Sequence, residues 1–591
     1  MKDRSDRFVT LESLVLGVLL LGAIGMRVAH LSWPPLAPAE AVAALDAARS
    51  TADASALDPS SGPPLAPAYA SLTALLFTAF GSSDGLARAV PVAAGIGLLG
   101  IPLVLRRRTG SASAVLATFL LGLSPALVMI ARTAGGGALT LLCLGMCWVL
   151  LARDDLAPRT RTAWLAGLLA LALASGPMAL TGLLGLGLGF ALHRVFFRST
   201  DAAWVELRSL PWSARRELVL FAALLVAFAT AVGTRADGFA GLAGSLGAWL
   251  QGWTRFGDLG LRTAAVSLVV YEPLVLLGGG YAALALRRRA KVNPSLLSWA
   301  LGALIVALVY PARSAVDLAW CVIPLALLAS QALEDVVERL AHAEHKPIVL
   351  VLVSILLLLA AFAYLQLAGY ARGIGRGPEF DPSLELGLAI GALALALVIT
   401  VLFGLGWSWA LAANAVRPVA VVLLWAATVS AAWSLNYSAL SATARELWRP
   451  QAATAETHLL LETMRGVSMG QTGWLDALPV RLEAGASPVL AWTLRGFPLD
   501  RAEGALASDQ PKVILRLNDG QDRPLAADYI GQTFSIVERK AWSGVLPAGL
   551  LHWLVLREAT TLSEQWLVLV RADVASFGEF PAEPVPAGAG E

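Results

Sequence analysis

The residues of this chain able to do chemistry are few and far apart. Glu40 is the one early acid in LSWPPLAPAEAVAALDAARS, residues 31–50, directly after the first long apolar run. Arg27 lies near the end of that run, Arg132 follows LSPALVMIA, Glu272 sits in VVYEPL, and Arg313 opens the PARSAVDLAWCVIPLALL stretch. A lone carboxylate can take a proton from a weak nucleophile within hydrogen-bond reach. Arginines can pair an anion held in apolar surroundings. There is no Walker loop, no metal-ligand spacing and no Ser-His-Asp pattern, so no metal site is expected. The six histidines are scattered, with His342 and His345 in a charged loop.

Each candidate also has a plainer reading. Glu40 is equally a first-turn helix acid, stabilised by the helix dipole by ~0.3–1 kcal/mol. Arg132, at the end of an apolar run, is equally a snorkelling side chain. Glu272 falls well inside an apolar run, where an acid costs at least ~2.5 kcal/mol on insertion scales. It must therefore face a bundle interior, a watery cavity or a partner such as Arg313.

The elements that must position these groups are set by composition. The chain has 591 residues, 57 % of them hydrophobic and 15 % charged, with a mean hydropathy of +0.68. Ordinary soluble domains carry about 25 % charged residues, so this is an integral membrane protein. A net charge of +2 gives no basic excess to suggest a nucleic-acid partner. Cys143, Cys147 and Cys321 all lie in apolar runs and read as packed or lipid-facing residues rather than a disulfide framework.

A hydrocarbon core of ~30 Å takes about 20 helical residues. Spans are predicted at 11–31, 87–105, 112–131, 138–152, 162–176, 178–193, 217–235, 263–286, 295–311, 316–333, 347–368, 384–407 and 417–437. The run at 65–81 is expected to lie in or dip into the interface, because counting it as a span would invert the arginine pattern. With the N-terminus inside, one side holds 21 Lys/Arg, including Arg106–Arg108 and Arg287–Lys291. The opposite loops hold nine arginines in more residues, Arg235, Arg255, Arg262 and Arg313 among them. By the positive-inside rule the first side is cytoplasmic. The expectation is a multi-pass protein of the cytoplasmic membrane with about thirteen helices in residues 1–440. Its first extracytoplasmic loop, 32–86, holds Glu40. An extracytoplasmic α/β domain follows at 441–578, built on strands such as PKVILRLND and QWLVLVRADV and helices such as THLLLETMRG. The Pro/Ala/Gly-rich tail 579–591 reads as disordered.

The order of features over residues 20–150 resembles the dolichyl-phosphate-mannose protein mannosyltransferase-like superfamily, the glycosyltransferase family 39-like group with the GT-C membrane fold. An arginine, a short acidic loop, a Pro-Pro-Leu turn, a helix ending Phe-Gly, an arginine-led span and a Ser-Pro before a further arginine follow one another. Here Arg27, Glu40, Pro63, Pro64, Leu65, Phe80, Gly81, Arg88, Pro91, Ser124, Pro125 and Arg132 fill those places. VVYEPL, VLAWTLRGF, DYIGQTF and the closing WLVLVRADV look like a bacterial and archaeal branch called flippase-activity-associated proteins.

The resemblance implies a polyprenyl-phosphate-linked sugar as lipid donor on the extracytoplasmic face, with a divalent metal left open. It implies the bilayer and glycan-assembly or flippase proteins as partners. Glu40 is then the candidate base, and Arg27, Arg132, Glu272 and Arg313 the candidate substrate-binding residues. The chain departs from the family pattern at critical points. Ala39 stands where the loop aspartate is expected, and Gly135 and Gly137 where the second motif has Arg and Asp. Neither alanine nor glycine moves a proton. Two functions stay open: a glycosyltransferase in which Glu40 has taken over, helped by Asp46 if a helix over 38–49 puts both on roughly one face, or a non-catalytic scaffold or flippase-associated partner.

Overall fold

The computed structural model describes residues 11–49, 62–153, 156–197, 214–257, 259–285, 294–343, 345–373, 383–437, 443–483, 487–502, 510–520, 525, 527–542, 544, 546–547 and 549–575. The first helix, α1 (Leu11–Val28), leads into a loop that folds as α2 (Pro38–Ala48), α3 (Pro67–Phe80) and the short α4 (Asp84–Ala87). Next come α5 (Ala89–Leu98), α6 (Gly100–Thr109), α7 (Ser111–Leu123), α8 (Pro125–Ala131), α9 (Gly137–Leu151), α10 (Pro158–Ala174), α11 (Met178–Phe196) and α12 (Ala214–Ala229). Then follow α13 (Asp237–Gln251), α14 (Leu261–Tyr271), α15 (Pro273–Ala285), α16 (Pro294–Val309), α17 (Ala315–Ala341), α18 (Lys346–Gly373), α19 (Ser383–Gly406) and α20 (Trp409–Asn436).

Every one of the thirteen predicted spans falls on a helix or a helix pair. Six helices are long and apolar enough to cross a bilayer, with α5 and α6 counted as one, and two bent pairs bring the number to as many as eight among the described residues. Others are shorter: α9 has 15 residues, about 22 Å at 1.5 Å per residue, against a core of ~30 Å. The run read as interfacial is α3, with 14 residues. α13 lies in the loop expected between the spans at 217–235 and 263–286.

The two bends share a cause. α7 and α8 meet at 62° and α14 and α15 at 91°, and in each the break falls on the residue before a proline, Ser124 before Pro125 and Glu272 before Pro273. Proline cannot donate the helical hydrogen bond and pushes its predecessor out of the α region. The main apolar core lies among α7–α9 and α14–α17, with Trp148 stacked on Trp299 at 5.2 Å. Small residues let α11 and α16 approach closely; a Cβ at Gly302 would stand 2.4 Å from the Gly189 nitrogen.

The C-terminal part is the predicted α/β domain. Its strands are β1 (Gln451–Ala453), β2 (Val480–Glu483), β3 (Leu499–Ala502), β4 (Val513–Leu517), β5 (Tyr529–Lys540) and β6 (Thr561–Arg571). They form one mixed sheet in the order β1-β5-β6-β4-β2-β3, parallel where β2 meets β3 and β4. Helices α21 (Glu456–Thr472) and α22 (Pro488–Thr493) pack against it, and the short α23 (Leu550–Leu556) and α24 (Ala572–Ala575) follow. The predicted strands and helices are found, while β1 and β3 are too short to carry a periodic signal. The predicted disordered tail lies outside the described residues.

The change in composition near residue 440 does not divide the packing. Leu36, Ala44, Tyr69 and Phe77 of the first loop share one apolar core with Leu460, Trp492, Phe534 and Trp566 of the C-terminal domain. Trp492 Nε1 donates to Asp84 Oδ1 at 2.7 Å, and Arg495 donates to Ser82.

Candidate functional site

The site starts at the C-terminus of α1, where helical carbonyls have no partners within the helix. Arg132, the residue after α8, supplies them. Its guanidinium donates to the carbonyls of Met26, Arg27, Ala29, His30 and Trp33, at 2.6 Å for Ala29, and lies over the Tyr437 ring. Arg27 is fully buried and donates to the carbonyls of Ala23, Leu121 and Gly122, tying α1 to α7. Both arginines are thus occupied by backbone oxygens.

Glu40, in the first turn of α2, is buried against Arg88. Arg88 Nε donates to Glu40 Oε1 at 2.9 Å and Nη2 to Oε2 at 2.8 Å, the two-pronged geometry that suits a guanidinium and a carboxylate. The Ala134 amide also donates to Oε1 at 2.8 Å, and the Ala37 amide to Oε2 at 3.1 Å. Each carboxylate oxygen therefore accepts two hydrogen bonds. Burial alone would raise the Glu40 pKa, but the Arg88 charge and these hydrogen bonds outweigh it and hold the group below the usual carboxylate value. Arg88 also donates to the carbonyls of Leu31, Pro34 and Pro35, fixing the loop that leads into α2.

A cavity of about 370 Å³ opens beside this pair. Its walls come from the first loop (Pro34, Pro35, Ala39, Glu40), from Met129 and Thr133, from Gly257 and Leu259, from the 312–316 segment, and from residues 447–453 of the C-terminal domain. Among the described residues lining it, Glu40 is the one carboxylate, and Arg313 and Arg449 are the cations. Arg313 donates to the carbonyls of Ala307 and Leu308 at the end of α16 and to that of Leu259. Burial lowers the pKa of Arg449 to about 10, which still leaves it cationic at neutral pH.

Glu272 does not line the cavity. It sits at the α14–α15 break, 1 % exposed, and accepts from the Ser124 hydroxyl at 2.5 Å and the Ala126 amide at 3.0 Å. The acid at one broken helix thus caps the start of α8 at the other. The partner suggested by the sequence, Arg313, is bonded elsewhere, to carbonyls.

Arg449 and the segment that carries it were not legible in the sequence. Residues 446–448 are anchored in the membrane domain: Tyr271 donates to Glu446, Trp448 Nε1 donates to Ser267 at 2.8 Å, and the Trp448 ring stacks on Tyr271 at 4.3 Å. Only the run of Trp and Arg in ELWRPQ hinted at it. No group of three or more His, Cys, Asp or Glu side chains able to hold a metal occurs among the described residues.

No family model and no curated protein matches this chain. Solved structures do. ArnT from Cupriavidus metallidurans bound to undecaprenyl phosphate aligns over 87 % of this chain and 93 % of its own, at 16 % identity and a TM-score of 0.52. The apo state of ArnT aligns over 84 % and 86 %, at 15 % identity and a TM-score of 0.50. An apo oligosaccharyltransferase of Archaeoglobus fulgidus aligns over 83 % and 65 %, at 14 % identity and a TM-score of 0.42. The likeness to ArnT runs through both the helical bundle and the C-terminal domain, and the chain is a multi-pass membrane protein with the GT-C fold.

Proposed function

We propose that this protein binds a polyprenyl-phosphate-linked sugar in the cavity between its first loop and its C-terminal domain, on the extracytoplasmic side, with sugar transfer weak or absent. The observation that carries this reading is the make-up of the cavity. Among the described residues two arginines line it, and the one acid, Glu40, is already committed to Arg88 and two amides. Cations in a wall built largely of apolar residues suit a lipid phosphate. The ArnT fold adds support, since ArnT is bound to undecaprenyl phosphate in its structure. A carboxylate with all its lone pairs filled is a poor general base, and Ala39, which opens on the same cavity, offers none. Arg313 is the proposed phosphate contact, while Arg27, Arg132 and Glu272 hold the helix ends around it.

The same occupied Glu40 favours a second reading, a non-catalytic scaffold or flippase-associated partner in cell-surface glycan assembly. Both readings expect binding of a polyprenyl phosphate to the purified protein. Arg313→Ala should weaken it by the ~1.5–3 kcal/mol of a charged hydrogen bond, about 10- to 150-fold. Unchanged affinity would remove Arg313 from the site. A transfer assay separates the two: slow turnover that Glu40→Gln reduces further supports the weak enzyme, and none supports the scaffold. Robust transfer independent of Glu40 would overturn both. The topology has its own test. A cysteine at exposed Glu462 should react with an impermeant thiol reagent in intact cells, and protection until lysis would reverse the orientation.

A further inference from the structure

The exposed side of α13 is apolar along its length. Phe239, Leu246 and Leu250, seven and four residues apart, form one helical row, and Trp253 and Phe256 continue it in the turn that follows. All five are exposed, Phe256 at 91 %. Between Gly238 and Leu250 the helix has no charged residue. The opposite side is pressed onto the protein: a Cβ at Gly241 would come within 2.4 Å of the Pro64 carbonyl oxygen, and one at Gly238 within 2.0 Å of that of Ala229. A row of this kind facing water would be a large exposed apolar patch, which calls for an occupant.

We infer that α13 and the turn to Phe256 lie in the lipid interface of the bilayer, on the face of the protein that bears the cavity. Three observations choose lipid over a protein partner. The row is continuous in the chain with lipid-facing helices on both sides, which carry exposed Leu218, Val219 and Val226 on α12 and exposed Leu261 and Val269 on α14. Arg255 and Arg262, both exposed, flank Phe256 and complement phosphate headgroups. Trp249, Trp253 and Tyr310 form an aromatic cluster at the same end, the residue types that favour the headgroup level.

The placement has a consequence for the cavity. The Ala312 amide donates to the Gly252 carbonyl at 3.0 Å, the Gly257 amide to the Pro311 carbonyl at 3.1 Å, and the Tyr310 hydroxyl to the Trp249 carbonyl at 3.1 Å. The lipid-embedded turn therefore grips the 310–312 segment, next to Arg313. It sets the height of that cavity wall relative to the bilayer surface.

The test uses the full chain in lipid nanodiscs with a nitroxide on Leu246→Cys or, separately, Leu250→Cys. The native Cys143, Cys147 and Cys321 are buried and should stay unlabelled. Power saturation compares collision with oxygen, which partitions into lipid, and with a water-soluble nickel chelate. Labels at exposed Leu397 on α19 and exposed Glu462 on α21 give the lipid and aqueous references. Both α13 labels should resemble the Leu397 reference, shifted toward the shallow end. Collision with the nickel chelate at the level of the Glu462 reference would overturn the inference. So would protection from both reagents, which would mean that protein covers the row.

Discussion

At the residue scale, the carboxylate that stands out in the sequence is held in place by its surroundings. Glu40 gains a buried, two-pronged partner in Arg88, and removing one member of such a pair leaves an uncompensated charge. Glu40→Gln should therefore lower stability by about 3–5 kcal/mol, read from thermal unfolding in detergent, on top of any effect on transfer. The pH dependence follows from the lowered pKa. A carboxyl with a folded pKa below its unfolded value of ~4.3 stabilises the protein above that value, and the contribution is lost as pH falls through the folded pKa. Wild type should lose Tm in that acid range more steeply than Glu40→Gln; equal slopes would show that the pair contributes nothing. Ala39→Asp is the complementary change. It places an acid on the cavity wall without disturbing Arg88, and a gain in transfer from a polyprenyl-phosphate sugar would show a site that lacks only its base. The equivalent change at Gly137 is less clean, because a Cβ there meets Val316 Cγ1 at 3.0 Å.

Among the elements, close helix approach and broken helices decide the architecture. Gly185 and Gly189 of α11 face Gly302 and Ala303 of α16 backbone to backbone. Gly302→Ala puts a methyl against the Gly189 nitrogen and the Gly185 carbonyl oxygen, neither of which can rotate away. It should cost about 1–3 kcal/mol as an overpacked contact. Gly187→Ala, with nothing within 4 Å, serves as the control and should leave Tm nearly unchanged. The bends at Ser124 and Glu272 act together, since the acid at one satisfies the amide and hydroxyl at the other. Their prolines were visible in the sequence, but the meeting of the two breaks was not, because 148 residues separate Ser124 from Glu272.

For the whole molecule, the membrane bundle and the C-terminal domain are one packing unit. A core shared by Leu36, Tyr69 and Phe77 with Leu460, Trp492 and Trp566 cannot close if either part is missing. Residues 443–591 expressed alone should give no cooperative thermal transition, and co-expression with 1–442 should restore one. A sharp transition from the isolated segment would show that the shared core is dispensable. The joint also explains how Arg449 reaches the cavity: Glu446 and Trp448 pin the start of the domain to α14.

Apolar runs and prolines in the sequence determined where helices form, and each predicted span proved helical because continuous apolar residues leave the backbone no other way to satisfy its hydrogen bonds in lipid. They also determined the α/β character of the C-terminal part, singled out Glu40 and Arg132 as candidate site residues and marked Glu272 as a group that needs a partner. Only the tertiary structure decided which partners those are. Glu40 found Arg88, 48 residues on, Arg132 found the carbonyls that end α1, and Glu272 found the start of α8. Such pairings depend on which helix ends meet in space, and a sequence pattern, which records only neighbours within a turn or a strand, carries no trace of them. The cavity is decided in the same way, since its walls come from five segments spread between residues 34 and 453.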